Sequence, residues 1–159
     1  SVKRMKMISL KKNINLINLY PPYIGSGITI QSVNKEFTSI TSQLKMRWFN
    51  RNAVGTHFGG SLYSMCDPFY MFILMEHLGK DYIVWDKAAT IHFRKPGLKT
   101  VTATFEIPLE EIASIKEYVD KNEKGDFTFN TTINGENGEL VAEVEKVVYV
   151  RNKNFVFEK

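Results

Sequence analysis

The sequence has one cysteine, Cys66, among 159 residues. A single thiol excludes an internal disulfide and fits a reducing compartment. Long apolar runs are also missing. The longest mostly apolar stretch, Leu62 to Met75, contains Asp67 and falls short of the ~20 residues that a bilayer span takes. The basic start is followed by no apolar core or small-residue cleavage site, so no secretory leader is predicted. These absences together predict a soluble, cytoplasmic protein. Acid is scarce in one region only. Residues 1–51 carry nine Lys/Arg and one acid, Glu36, whereas the remainder carries twelve Lys/Arg against sixteen acids. Such a basic third suits an anionic membrane, a polyphosphate ligand or plain solvent. No nucleic-acid-binding motif accompanies it, and no nucleic-acid partner is expected.

Aromatic residues are plentiful at 13%, and the length suits one domain with a core of its own. Residues 5–19 space Met5, Ile8, Leu10, Ile14 and Ile17 roughly as a helix does, and Pro21-Pro22 is expected to end it. Strands are predicted over Ile28–Asn34 and Ser39–Trp48. The loop from Asn50 to Gly60 holds three glycines and leads into Ser61–Leu78, which is apolar on nearly every side and closed by Gly79. A helix of that kind must be enclosed by protein. Pro68 inside it predicts a kink, with a carbonyl near Ser64 left without its usual partner. The period then changes to two, over Tyr82–Trp85, Ala88–Arg94 and Thr100–Ile107. A charged helix is predicted over Leu109–Asp120, then a hairpin of Asp126–Asn134 and Glu139–Val150 about Gly135-Glu136-Asn137-Gly138. This is an α+β layout. A single chain's sheet rarely covers such a helix, so a homo-oligomer is expected.

Three features could carry chemistry. Asp67 is the only acid between residues 60 and 75. Burial there is expected to raise its pKa and improve it as a proton acceptor, unless it serves as a cap or an interface ion pair. The Gly55–Gly60 entry exposes backbone N–H groups at a helix start, suited to a developing oxyanion or simply to a tight turn. Cations at Arg51, Arg94 and Lys95 could hold phosphates, or stand solvated. His57 and His92 are candidates for general acid or base, or for structural hydrogen bonding. Cys66 is expected to be inert core. No His/Cys/Asp cluster has metal-ligand spacing, so no metal is expected.

The run Gly59-Gly60-Ser61-Leu62-Tyr63-Ser64-Met65-Cys66-Asp67 resembles the helix entry of hotdog thioesterases of the phenylacetyl-coenzyme-A thioesterase-like type. The stretch Asn52 to Asp67, with Trp85-Asp86-Lys87-Ala88, is most similar to their bacterial branch known as domain of unknown function 4442. The strand ending Phe93-Arg94-Lys95-Pro96 resembles the family's strand that ends in Arg-Pro. In the family a histidine precedes Gly-Gly. Here Phe58 stands there, and His57 is one place earlier.

The resemblance implies a hotdog fold, a long central helix wrapped by an antiparallel sheet of about five to six strands. Residues 28–152 would form it, with an N-terminal helical extension over 1–27 and a loose C-terminus over 153–159. It implies an acyl-CoA thioesterase acting as a dimer or a dimer of dimers, with no cofactor beyond the coenzyme A of its substrate. Asp67 would be base or nucleophile, Gly59 and Gly60 the oxyanion hole, and Asn52 or His57 a positioning group. Phe58, Leu62, Met65, Arg51, Arg94 and Lys95 would meet the substrate, with the acyl chain near Leu62, Met65 or Phe69. The alternatives are a non-catalytic acyl-CoA-binding module, a hotdog dehydratase, whose His-Phe-Pro-like signature is missing, and membrane attachment through residues 1–19.

Overall fold

The computed structural model describes residues 9–154. Met5 and Ile8 of the predicted first helix, and the tail from 155, lie outside the described residues. The chain opens with a short α1 (Leu10–Asn13), a 3-10 helix (Ile14–Leu19) and α2 (Pro21–Ser26). Pro21-Pro22 starts α2 instead of only ending the previous helix, because the first turn of a helix needs no N–H from those residues. Gly27, at φ +82°, closes α2 in the left-handed conformation.

Six strands form one antiparallel sheet in the order β1-β2-β4-β5-β6-β3. They are β1 (Ile28–Val33), β2 (Ser39–Leu44), β3 (Tyr82–Phe93), β4 (Val101–Glu106), β5 (Lys124–Gly135) and β6 (Leu140–Asn152). The segments expected over Tyr82–Trp85 and Ala88–Arg94 are one strand, β3, with an irregularity between Asp86 and Ala88. Strand β2 stops at Leu44, short of the expected Trp48. From there the Asn50 side chain takes over, donating to the Lys45 carbonyl and accepting from the Arg47 N–H.

The predicted helix Ser61–Leu78 is two helices, α3 (Gly59–Ser64) and α4 (Phe69–Leu78). Pro68 has no N–H to continue the ladder, and the chain turns across a cis Asp67–Pro68 bond. The carbonyl expected to be orphaned is satisfied. Ser64 O accepts the Asp67 N–H at 3.2 Å and the Tyr23 hydroxyl at 3.2 Å. Tyr23 also donates to the Asp67 carbonyl.

Helix α4 is the central helix. Phe69, Tyr70, Ile73 and Leu74 are buried, with the Tyr70 ring stacked on Phe129 at 4.9 Å and edge-on to Phe105 at 5.3 Å. Its hydroxyl is not wasted, since it donates to the Asn130 carbonyl at 2.7 Å. Helix α5 (Leu109–Asn122) buries Ile112, Ile115 and Val119 at one side of the core. The N-terminal segment is tied to α4 by Glu76, whose carboxylate accepts from the Leu10 and Lys11 N–H groups and the Ser9 hydroxyl. Among the described residues no helix is long and apolar enough to cross a membrane.

Candidate active site

The break between α3 and α4 places Asp67 in a turn, with its side chain 45% exposed. From Ala142 onward strand β6 alternates, so Ala142, Val144, Val148 and Val150 point into the core. Lys146 occupies the same inward row and is fully buried. Its ammonium lies 3.1 Å from Asp67 Oδ1, 3.2 Å from Asp86 Oδ2 and 3.2 Å from the Tyr63 hydroxyl. Three partners thus satisfy the three donors of a lysine. Asp86 comes from β3, at the irregularity beside Lys87. Its cross-strand partner is the inward-facing Val148, and the extra residue that follows shifts the register so that Ala89 stands opposite Lys146. Asp86 reaches the Lys146 ammonium diagonally.

The electrostatics differ from the expectation for Asp67. Burial pushes its carboxyl up, but the hydrogen bond with Asp86 and the Lys146 charge outweigh it and hold the group below its ordinary value. Asp86 carries the upward shift. Burial first, and Asp67 next, raise it to about 6. Lys146 is held above the usual lysine range, because the charges of Asp86 and Asp67 outweigh its desolvation. Asp67 also opens onto a cavity of about 620 Å³ lined by Leu16, Leu19, Tyr20, Tyr23, Tyr63 and Phe72 among others. One wall is helix α3 and α4, and the other is the N-terminal segment.

The remaining predicted residues stand as follows. Gly59 and Gly60 begin α3, and two aromatic rings cover them. A methyl group on Gly59 would meet the Phe93 ring at 3.1 Å, and one on Gly60 would meet Phe58 at 2.5 Å. A side chain at either position would push the exposed ring above it aside. Asn52 holds the entry loop, accepting from the Val54 and Thr56 N–H groups and donating to the Thr56 hydroxyl. His57 is buried, with Nε2 2.7 Å from the Lys99 carbonyl, so Nε2 carries the proton. Burial lowers its pKa and keeps it neutral.

His57 lines a second, smaller space with Leu62, Arg94 and Lys95, apart from the Asp67 cavity. Arg94 there pairs with Glu143 at 2.5 Å. Arg51 is exposed and bridges to His57 through the backbone. Met65 and Phe69 are completely enclosed in the core, and neither lines the cavity beside Asp67. Cys66 is also buried, which pushes its thiol up to about 12. His92 lies exposed on the far face of the sheet with Thr90 and Glu143.

Sequence reasoning missed Asp86 and Lys146. The signal for Lys146 was available, since a lysine interrupts the inward row of an otherwise apolar alternation.

Solved structures with this architecture are numerous. A Pseudomonas aeruginosa protein of unknown function, PA5026, called a probable thioesterase, superposes with a TM-score of 0.77 at 16% identity, covering 91% of this chain and 97% of that one. The thioesterase HI1161 of Haemophilus influenzae gives 0.67 at 15%, covering 96% and 97%. The Escherichia coli PaaI protein, from the phenylacetic acid degradation operon, gives 0.59 at 18%, covering 94% and 99%. At these identities the likeness establishes the hotdog fold. Among curated proteins, none matches the sequence. The model of the family described as a domain of unknown function, DUF4442, matches residues 13–150, and this hotdog protein therefore belongs to that family.

Proposed function

We propose that the protein hydrolyses acyl-coenzyme-A thioesters, with Asp67 as the reacting carboxylate. The observation that carries this reading is an ionised aspartate opening onto an apolar, aromatic-lined space of about 620 Å³. That space suits an acyl chain, and its rim sets the charge beside the carbonyl. Asp67 acts on water as base or on the carbonyl carbon as nucleophile, and both begin from the charged form that Lys146 maintains. The N–H groups of Gly59 or Gly60, at the start of α3, would receive the oxyanion.

In this reading the Asp67 of one protomer serves the glycines of its partner. The support is that β3 forms the outer edge of the sheet, twelve residues long, with Trp85 and Phe93 exposed along it. Such an edge invites pairing with a second copy. Phe58, exposed over Gly60, would lie at that seam. Arg51, Lys95 and Arg94, the last already engaged by Glu143, would meet the coenzyme A phosphates as cations.

Thiol release over a series of acyl-CoA chain lengths tests the proposal. Asp67→Asn should reduce turnover by at least about a thousandfold while still folding and melting cooperatively, at a lower temperature for want of its charge on Lys146. An unaffected mutant would overturn the assignment. Ligand-dependent melting without turnover in the parent would instead favour an acyl-CoA-binding module.

A further inference from the structure

The cluster around Asp67 does not balance its charges. Asp67 and Asp86 bring two negative charges, and Lys146 brings one positive charge to both. Tyr63, the third group on the ammonium, is neutral. No other charge reaches Asp86 from the elements packed on it, among the described residues. It faces Asp67 from the α3–α4 turn and Lys146 from β6. Its neighbour Lys87 turns away to Asp126 at 2.5 Å. With Lys146 fully enclosed, one negative charge is left where water screens poorly.

A proton on one carboxyl removes the excess, and the geometry selects which. The Asp86 side chain is 18% exposed against 45% for Asp67. Asp86 Oδ1 is buried and, among the described residues, receives no hydrogen bond. A buried carboxylate oxygen left that way is costly. A carboxylic acid is not, because its O–H donates and fewer lone pairs need partners. Asp67, held on the same ammonium, is the acceptor with which Asp86 is electrostatically paired.

We propose that Asp86 works as a neutral carboxylic acid, a positioning residue that donates a hydrogen bond to ionised Asp67 and, with Lys146, fixes that carboxylate for reaction. The inference rests on the thioesterase reading only for its effect on rate. The same burial and the Asp67 charge that raise Asp86 to about 6 define its working range. Below that pH the pair holds one proton and one charge. Above it the second carboxylate ionises, Asp67 loses its donor, and two like charges face each other. Activity should therefore decline on the alkaline side.

Two measurements on the full chain test this together. In a 13C-carboxyl NMR titration, one aspartyl signal should titrate near pH 6 in the parent and be absent from Asp86→Asn. In thiol-release profiles, Asp86→Asn, whose amide donates at every pH, should stay within about threefold of the parent at pH 5.5 and lose the alkaline decline. Asp86→Ala, with no donor, should fall by about thirtyfold in kcat with little change in KM. Aspartyl signals all titrating below pH 5 would overturn the proposal, as would Asp86→Asn failing as badly as Asp86→Ala. If Asp86→Ala does not fold, the parent and Asp86→Asn still decide. If the parent cleaves no thioester, the hydrolase assignment falls while the titration still reports on Asp86.

Discussion

Lys146 shows how one side chain can organise a site. A lysine at zero exposure is tolerable because all of its donors find partners and two of those partners are carboxylates. Lys146→Met keeps the volume and removes the charge. At pH 7 the change should cost on the order of 3 kcal/mol, discounted because Asp67 is half exposed. The sign follows from Asp67. Its folded pKa is depressed, so its contribution is present above the ordinary carboxylate value and is lost as pH falls through the depressed one. Urea melts of parent and variant should therefore differ most near neutrality and converge as the pH falls below the ordinary carboxylate value. Asp67 itself was legible as a lone acid in an apolar stretch. The direction of its shift was not, because that depends on a cation 79 positions away in sequence. His57 and Asn52 were legible as polar loop residues, but the backbone groups they hold appear only in three dimensions.

Among the elements, the strands and α5 followed from their periodicity to within a few residues. The central helix did not, and the reason is local. The apolar pattern of residues 61–78 continues across Pro68, so hydrophobicity alone reads as one rod where the backbone makes two. The N-terminal segment was legible as helical but not as a cavity wall, since nothing in its spacing reveals what it packs on. Glu76 is its anchor. Glu76→Ala strips the acceptor from the Leu10 and Lys11 N–H groups and the Ser9 hydroxyl. The expected loss is about 1–2 kcal/mol of local stability. Limited proteolysis should then cut within residues 9–20 several times faster, and KM should rise several-fold for long acyl chains but little for acetyl-CoA.

For the whole molecule, one long apolar stretch followed by antiparallel strands was enough to indicate the α+β architecture, and the observed strand order completes it. Helix α4 buries only one face, with Phe69, Tyr70, Ile73, Leu74 and Leu78 inside and Met71, Phe72 and Met75 partly exposed. Assembly is a separate matter. The edge strand β3 leaves Ala88, Ala89 and Thr90 exposed in the isolated chain. If two copies join there, light scattering should give twice the chain mass. Ala89→Lys, the kind of charge that protects natural edges, should halve it and abolish activity together. A monomeric parent with full activity would show that a single chain holds the complete site.

One wall of the cavity beside Asp67 is contributed by a contiguous stretch, residues 16–23, that lies outside the sheet. A lineage could therefore exchange this cassette without redesigning the strands or the lysine–carboxylate cluster. The exchange has one fixed term, because Tyr23 is bonded to the peptide carbonyl of Asp67. Grafts that retain a hydroxyl there should inherit new chain-length preferences, and grafts that lose it should inherit a misaligned turn.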